Sequence, residues 1–227
     1  MSPASCDSSS SLPPSPDCSL CPRLEAFRQA NRISFPKGHN APVPSFAPSP
    51  VDPGEAPWLL IVGLAPGLRG ANATGRPFTG DWAGELLYPT LLKFGFAAGN
   101  YKGIAEDGVI LQDARITNAV RCVPPANRPL GPETKACRSF LEREIAAMEN
   151  LQCIVTLGTV SHGATLGALG IKKSLAPFGH GAVYDAQDGA VRLISSYHCS
   201  RYNTNTRRLS VEMFEAIFKA ARDYLEH

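Results

Sequence analysis

The chain has 227 residues, long enough for one domain with a sizeable core, and its formal net charge of only +2 by itself says little about partners. No stretch is long and apolar enough to span a membrane. An odd count of seven cysteines with no secretory leader argues against a disulfide framework and points to a reducing, cytoplasmic setting.

Residues 1–17 are rich in Ser and Pro and are expected to be disordered, leaving 18–227 as a single domain. A C-S-L-C pair at Cys18 and Cys21 precedes a predicted helix near 21–32, and residues 36–56, rich in Pro and Gly, read as an extended connection. W-L-L-I-V-G at 58–63 is a continuous apolar run, as expected of a strand buried on both faces. A Gly-rich loop at 63–80 leads to a helix near 82–95. Further strands are expected at 115–120, 153–158 and 191–196, with helices starting near 132, after 158 and near 209. Strands alternating with helices predict a three-layer α/β/α sandwich around a mainly parallel, four-stranded sheet. In such sheets the ligand site lies beyond the carboxyl ends of the strands. Here those ends run into polar loops: G-L-A-P-G, T-N-A-V-R-C, L-G-T-V-S-H and S-Y-H-C-S.

Charge is spread unevenly. No Asp or Glu occurs at 56–80, 114–132, 150–184 or 189–211, while those windows carry Arg69, Arg76, Arg115, Arg121, Arg128, Lys172, Lys173, Arg192, Arg201, Arg207 and Arg208. Acid-free basic loops on a near-neutral chain fit a local face for a polyanion such as nucleic acid. The plainer alternative is that loops favour Gly, Pro and Asn and so lack acids by chance.

Cys18 and Cys21 form one close pair; Cys122 and Cys137 form a wider one that frames V-P-P-A-N-R-P-L-G-P-E-T-K-A. The two pairs can meet only if the first segment folds back onto the middle of the chain. Four thiolates suit either zinc or an iron–sulfur cluster. Cys153, inside an apolar strand, reads as a buried thiol, Cys6 as idle, and Cys199 is ambiguous beside a histidine.

The loop after the first strand is no Walker loop, since no G-K-[ST] follows, and it lacks the G-x-G-x-x-G spacing. Its six glycines, from Gly63 to Gly84, suggest close backbone approach to a flat or charged ligand. Phe78 offers a face that could stack on a base or could serve the core. Asp81 is the first acid after the long acid-free window, and is either a catalytic carboxylate or the N-cap of the helix starting at Trp82. Asn118 at one strand end can read an amide edge, and His198 beyond another can hydrogen-bond a departing oxygen. Ser200, Asn203, Asn205, Arg207 and Arg208 form a polar, acid-free loop suited to phosphates, with Leu209 as a side chain that could wedge into stacked bases.

G-L-A-P-G, F-T-G-D at 78–81, T-N-A-V-R-C-V-P-P-A-N at 117–127 and H-C-S-R-Y-N-T-N-T-R-R-L at 198–209, with the four cysteines, resemble the family 5 uracil-DNA glycosylases. The resemblance covers the chain from Cys18 to the final helix. It implies a [4Fe–4S] cluster rather than zinc on Cys18, Cys21, Cys122 and Cys137. It also implies a monomeric enzyme that hydrolyses the bond between uracil, or a related damaged base, and deoxyribose in DNA. The chemistry assigns Asp81, Asn118 and His198 to catalysis; Gly63, Ala65, Pro66, Phe78, Asn118 and His198 to the base; and the 200–208 loop to the DNA backbone. Two departures stand out: Cys199 replaces the family's usual Pro after the motif histidine, and Gly67 replaces the usual Ala at the end of the first motif. Leu64 and Ala65 are apolar where other glycosylase families carry a polar catalytic residue, which leaves Asp81 as the available carboxylate. The reading from another class is a non-catalytic iron–sulfur module that binds nucleic acid.

Overall fold

A computed structural model describes residues 14–48 and 57–226. The four expected strands are β1 (Leu59–Gly63), β4 (Ala114–Asn118), β5 (Cys153–Leu157) and β7 (Val191–Ser196). They pair in parallel in the order β4-β1-β5-β7. Every residue of β1 and β5 is buried, because helices cover both faces of the sheet. A fifth strand, β6 (Val183–Ala186), adds antiparallel to β7 at the edge, so the sheet is five-stranded rather than four-stranded. Its Val183 and Asp185 are exposed, and this half-solvated pattern carries no continuous apolar signal. A small hairpin, β2 (Ala97–Ala98) with β3 (Ile110–Leu111), stands apart.

One face of the sheet is covered by α3 (Trp82–Lys93) and α7 (Val211–Leu225). In α7, Phe214, Ile217, Phe218, Ala221 and Leu225 are buried at helical spacing. The other face is covered by α4 (Gly131–Ala146) and α5 (Thr159–Ala168), whose Leu141, Ile145, Ala164 and Leu166 pack on Leu60, Val62, Ile154 and Leu193. These are the three layers. Two short helices, α2 (Ala71–Thr74) and α6 (Arg201–Asn205), lie in loops beyond strand ends.

Helix α1 (Pro22–Ser34) lies outside the sandwich, in a third cluster formed by Cys18, Leu24, Val120, Cys137 and Phe140. The expected disorder of residues 1–13 lies outside the described residues. Residues 14–17 belong to the folded part: Pro14 is buried, the Cys18 N–H donates to the Ser15 carbonyl (2.9 Å), and Arg32 binds Asp17 (2.8 Å) and the Pro16 carbonyl (3.0 Å). Of the 36–56 connection, residues 36–48 are described. They begin with a turn, hydrogen-bond to α2 through the N–H groups of His39 and Asn40, and reach β4 at Phe46, which exchanges backbone hydrogen bonds with Ile116.

Candidate active site

Strands β1 and β4 end side by side, with Gly63 paired to Asn118. A Cβ built on Gly63 would stand 2.4 Å from Asn118 Oδ1 and 2.4 Å from Phe78 Cζ. Only glycine at this strand end lets the carboxamide and the phenyl ring close over the backbone. Among the described residues no hydrogen bond engages the Asn118 carboxamide, so its donor and acceptor are free for a ligand.

Phe78 adopts a left-handed backbone (φ 53°), a strained position for an aromatic residue. The surrounding turn holds it there. Arg76 Nε donates to Thr79 Oγ1 (2.7 Å), Tyr88 Oη to the Pro77 carbonyl (2.7 Å) and Tyr101 Oη to the Phe78 carbonyl (3.2 Å). Arg76 is itself fixed by a two-pronged ion pair with Asp107, both contacts at 2.8 Å. That buried guanidinium holds the Asp107 carboxyl well below the usual carboxylate range.

Asp81 is the N-cap of α3, with Oδ1 accepting from the N–H groups of Ala83 (3.1 Å) and Gly84 (3.3 Å). Its other oxygen, Oδ2, packs on the glycine loop: a Cβ on Gly70 would lie 2.4 Å from it and one on Gly67 3.1 Å. Burial pushes the carboxyl above its ordinary range, against the pull of the two backbone N–H groups.

His198 follows β7. Asn203 Nδ2 donates to its carbonyl (2.8 Å), and its ring stacks near Phe78, with centroids 6.0 Å apart and planes 29° from parallel. Burial lowers the imidazole pKa from 6.5 to about 4, so the ring is neutral at neutral pH. Its Nδ1 is buried with no partner among the described residues.

Ala65, Pro66, Gly67, Phe78, Asp81, Asn118 and His198 thus line one small chamber at the carboxyl ends of the strands. It adjoins a wide surface cleft that shares Ala65, Gly67, Asp81 and His198 with it. The chamber gathers every residue expected to meet the base except Gly63, which forms its backing.

Of the expected backbone-binding residues, Ser200, Asn203 and Arg208 line the cleft. The Ser200 hydroxyl caps α6 by accepting from the Asn203 N–H (3.4 Å). The Arg208 guanidinium lies over the Tyr197 ring at 4.4 Å. Asn205 and Arg207 are exposed but lie outside the cleft lining. Leu209 cannot wedge into a base stack: it is 1% exposed and packs in the core with Phe214.

The acid-free windows of the sequence are not acid-free in space. Arg76 pairs with Asp107, Arg121 with Glu144, Arg115 approaches Glu144 at 3.7 Å, and Arg192 pairs with Asp185. The cations left to the cleft are Arg128, Arg201 and Arg208. Arg128 was legible only as a member of a long basic roster, whereas Arg201 and Tyr202 lay within the 198–209 motif without being singled out. Trp82, also in the lining, carried no signal in the sequence beyond following Asp81. Trp82 donates from Nε1 to Thr204 Oγ1 (2.9 Å) and underlies the Arg201 guanidinium, which ties α3 to α6 across the cleft.

Cys18, Cys21, Cys122 and Cys137 line a second, small cavity between α1 and the start of α4. The chain folds back as the spacing requires. All six described cysteines are free thiols; Cys153 and Cys199 are each 0% exposed and lie in the core, and Cys6 lies outside the described residues. Burial pushes the Cys21 thiol up to about 11 and the Cys122 thiol up to about 12, with neighbouring cysteines adding to both. Among the described residues no group of three His, Cys, Asp or Glu side chains is arranged to hold a single metal ion.

Fold and chamber together define a class of α/β protein with a polar site at the strand ends. Residues 49–222 match the family described as the uracil DNA glycosylase superfamily. The chain is 42% identical over 211 residues to the type-5 uracil-DNA glycosylase of Thermus thermophilus, covering 90% of this chain and 93% of that one. It is 36% identical over 218 residues to the Pyrobaculum aerophilum type-5 enzyme, covering 91% and 89%. Against the Mycobacterium leprae type-5 enzyme the identity is 38% over 213 residues, 90% of each chain. The chain belongs to the uracil DNA glycosylase superfamily and, within it, to the type-5 group.

Proposed function

We propose that this protein hydrolyses the N-glycosidic bond of uracil in DNA, releasing the base and leaving an abasic site, and that the chamber at the strand ends is where the flipped base is held. The carrying observation is the meeting of Asn118, Phe78, Asp81 and His198 around that chamber, beside a cleft lined by Arg128, Arg201 and Arg208. Damaged bases of similar shape to uracil fall within the same reading.

Phe78 gives the base a stacking face held rigid by its turn. The free carboxamide of Asn118 pairs with the O4 and N3–H edge, which needs one donor and one acceptor. Bond cleavage leaves negative charge on the base and positive charge on the sugar. A neutral His198 donates to the departing oxygen without losing a proton to solvent at neutral pH. Asp81, ionised, faces the developing cation or takes the proton of the attacking water through Oδ2, while Oδ1 stays on the helix. Arg208, Arg201 and Arg128 hold phosphates, and Tyr202, 72% exposed at the cleft rim, replaces Leu209 as the side chain free to fill the space a flipped base vacates.

The reading includes a [4Fe–4S] cluster held by Cys18, Cys21, Cys122 and Cys137. Four thiol donors around one cavity support it. When bound, the cluster would act as a structural pin between α1 and the 122–137 segment that carries Arg128. The free thiols suit a reducing, cytoplasmic compartment, and a monomer suffices, because one chain supplies the whole chamber.

A duplex oligonucleotide with a single uracil tests the activity. Strand cleavage after alkali supports excision; tight binding without an abasic product supports a non-catalytic module and rejects it. Iron and sulfide content of the anaerobically purified protein tests the cluster separately, and stoichiometric zinc without sulfide would reject it.

A further inference from the structure

Arg28 lies on the buried face of α1 with Leu24 and Asn31. It is 1% exposed and lines the cysteine cavity. Its Nη1 donates to Cys122 Sγ (3.4 Å) and its Nη2 to the Cys18 carbonyl (2.8 Å). Its Nε is buried and has no hydrogen-bond partner among the described residues. The other deeply buried arginines meet carboxylates: Arg76 meets Asp107 and Arg121 meets Glu144. No carboxylate of the described residues forms an ion pair with Arg28. A buried cation without an anion is costly, and an apolar side chain would fill the same space without that cost. The anion this guanidinium faces is therefore sulfur.

We propose that Arg28 is the counter-charge of the cysteine site: it neutralises the anionic group that the four thiolates hold and donates N–H···S hydrogen bonds to it. The inference rests on the cluster reading above. Four thiolates give such a group a net negative charge, and hydrogen bonds to sulfur together with nearby positive charge stabilise its more reduced form. The Arg121 backbone N–H, which donates to Cys137 Sγ (3.4 Å), does the same from the opposite wall. Side-chain removal cannot erase that second bond, so Arg28 is the adjustable one. Arg28 is a positioning residue and touches no part of the base chamber.

The test uses the intact holoprotein, with Arg28→Gln and Arg28→Lys beside it. Three quantities are read: iron and sulfide per chain, the reduction potential of the cluster by voltammetry, and the rate of iron release to a chelator. Arg28→Gln should shift the potential to more negative values and release iron about tenfold faster or more, the usual scale for partners that orient metal ligands. Arg28→Lys keeps the charge and loses the two-pronged donor, so both readings should fall between. Should Arg28→Gln fail to fold by circular dichroism, Arg28→Lys decides alone. Variants that match the parent in potential and in chelator rate would overturn the role of Arg28. A parent without iron and sulfide would instead overturn the cluster reading, which the first measurement reveals independently of the variants.

Discussion

Oδ1 of Asp81 is committed to the N–H groups of Ala83 and Gly84, while Oδ2 faces the backbone of the glycine loop within the chamber. Capping occupies one oxygen and leaves the other for the proposed catalysis, so the two alternatives left open by the sequence do not exclude each other. Asp81→Asn keeps a cap nearly as good and loses the negative charge. Single-turnover excision should fall about a hundredfold or more, while binding to uracil-containing DNA changes little, because the charge acts mainly in the transition state. Excision within a fewfold of the parent would move the work to Asn118 and His198. His198 gives a second test. Burial holds its folded pKa at about 4, below the ordinary imidazole value of 6.5. Between those values the unfolded chain binds more protons than the folded one, so stability falls as pH falls through the window. His198→Gln removes that site and should flatten the stability profile there, measured by denaturant midpoints. Parallel profiles for parent and variant would contradict the burial of a neutral ring. The sequence placed both residues correctly at strand and helix ends. It could not distinguish the two oxygens of the Asp81 carboxylate.

At the scale of elements, the four parallel strands were legible because a strand buried on both faces writes a continuous apolar run, as Leu59–Gly63 and Cys153–Leu157 do. Strand β6 was not, because an edge strand with exposed Val183 and Asp185 resembles a turn region. The segment after β7 shows the same limit. Its motif marked it as a DNA-contacting loop, yet Leu209 turns into the core because α7 begins immediately after it, with Ser210 capping the helix through Met213 N–H (3.1 Å). Whether a leucine at a loop's end faces water depends on the next helix, which local spacing does not reveal. Arg208, one residue earlier, stays exposed over Tyr197 and lines the cleft. Arg208→Ala should weaken DNA binding alike for all target bases and lower the slope of log affinity against log salt by about one. An unchanged slope would place Arg208 off the phosphates.

The whole molecule couples three packed regions: two cores on either face of the sheet and the small cluster that holds α1. The third region touches the cleft through a chain of polar contacts. Arg23 binds Glu133 (2.7 Å) and donates to the Arg128 carbonyl (3.1 Å), so α1 fixes the backbone of a cleft-lining residue. The fold-back of the cysteine pairs was legible from spacing alone. This brace was not, because an Arg, a Glu and a carbonyl from distant segments leave no common pattern. The account's central claim is that uracil leaves DNA at the chamber built from Asp81, Asn118, Phe78 and His198. It is tested most directly by mixing excess protein with a duplex carrying one uracil and quantifying free uracil, for the parent and for the Asp81→Asn, Asn118→Ala double variant. The account predicts one uracil released per duplex by the parent and almost none by the double variant, which still holds the DNA. A parent that releases no uracil, or a double variant that releases it at the parent's rate, would contradict the account.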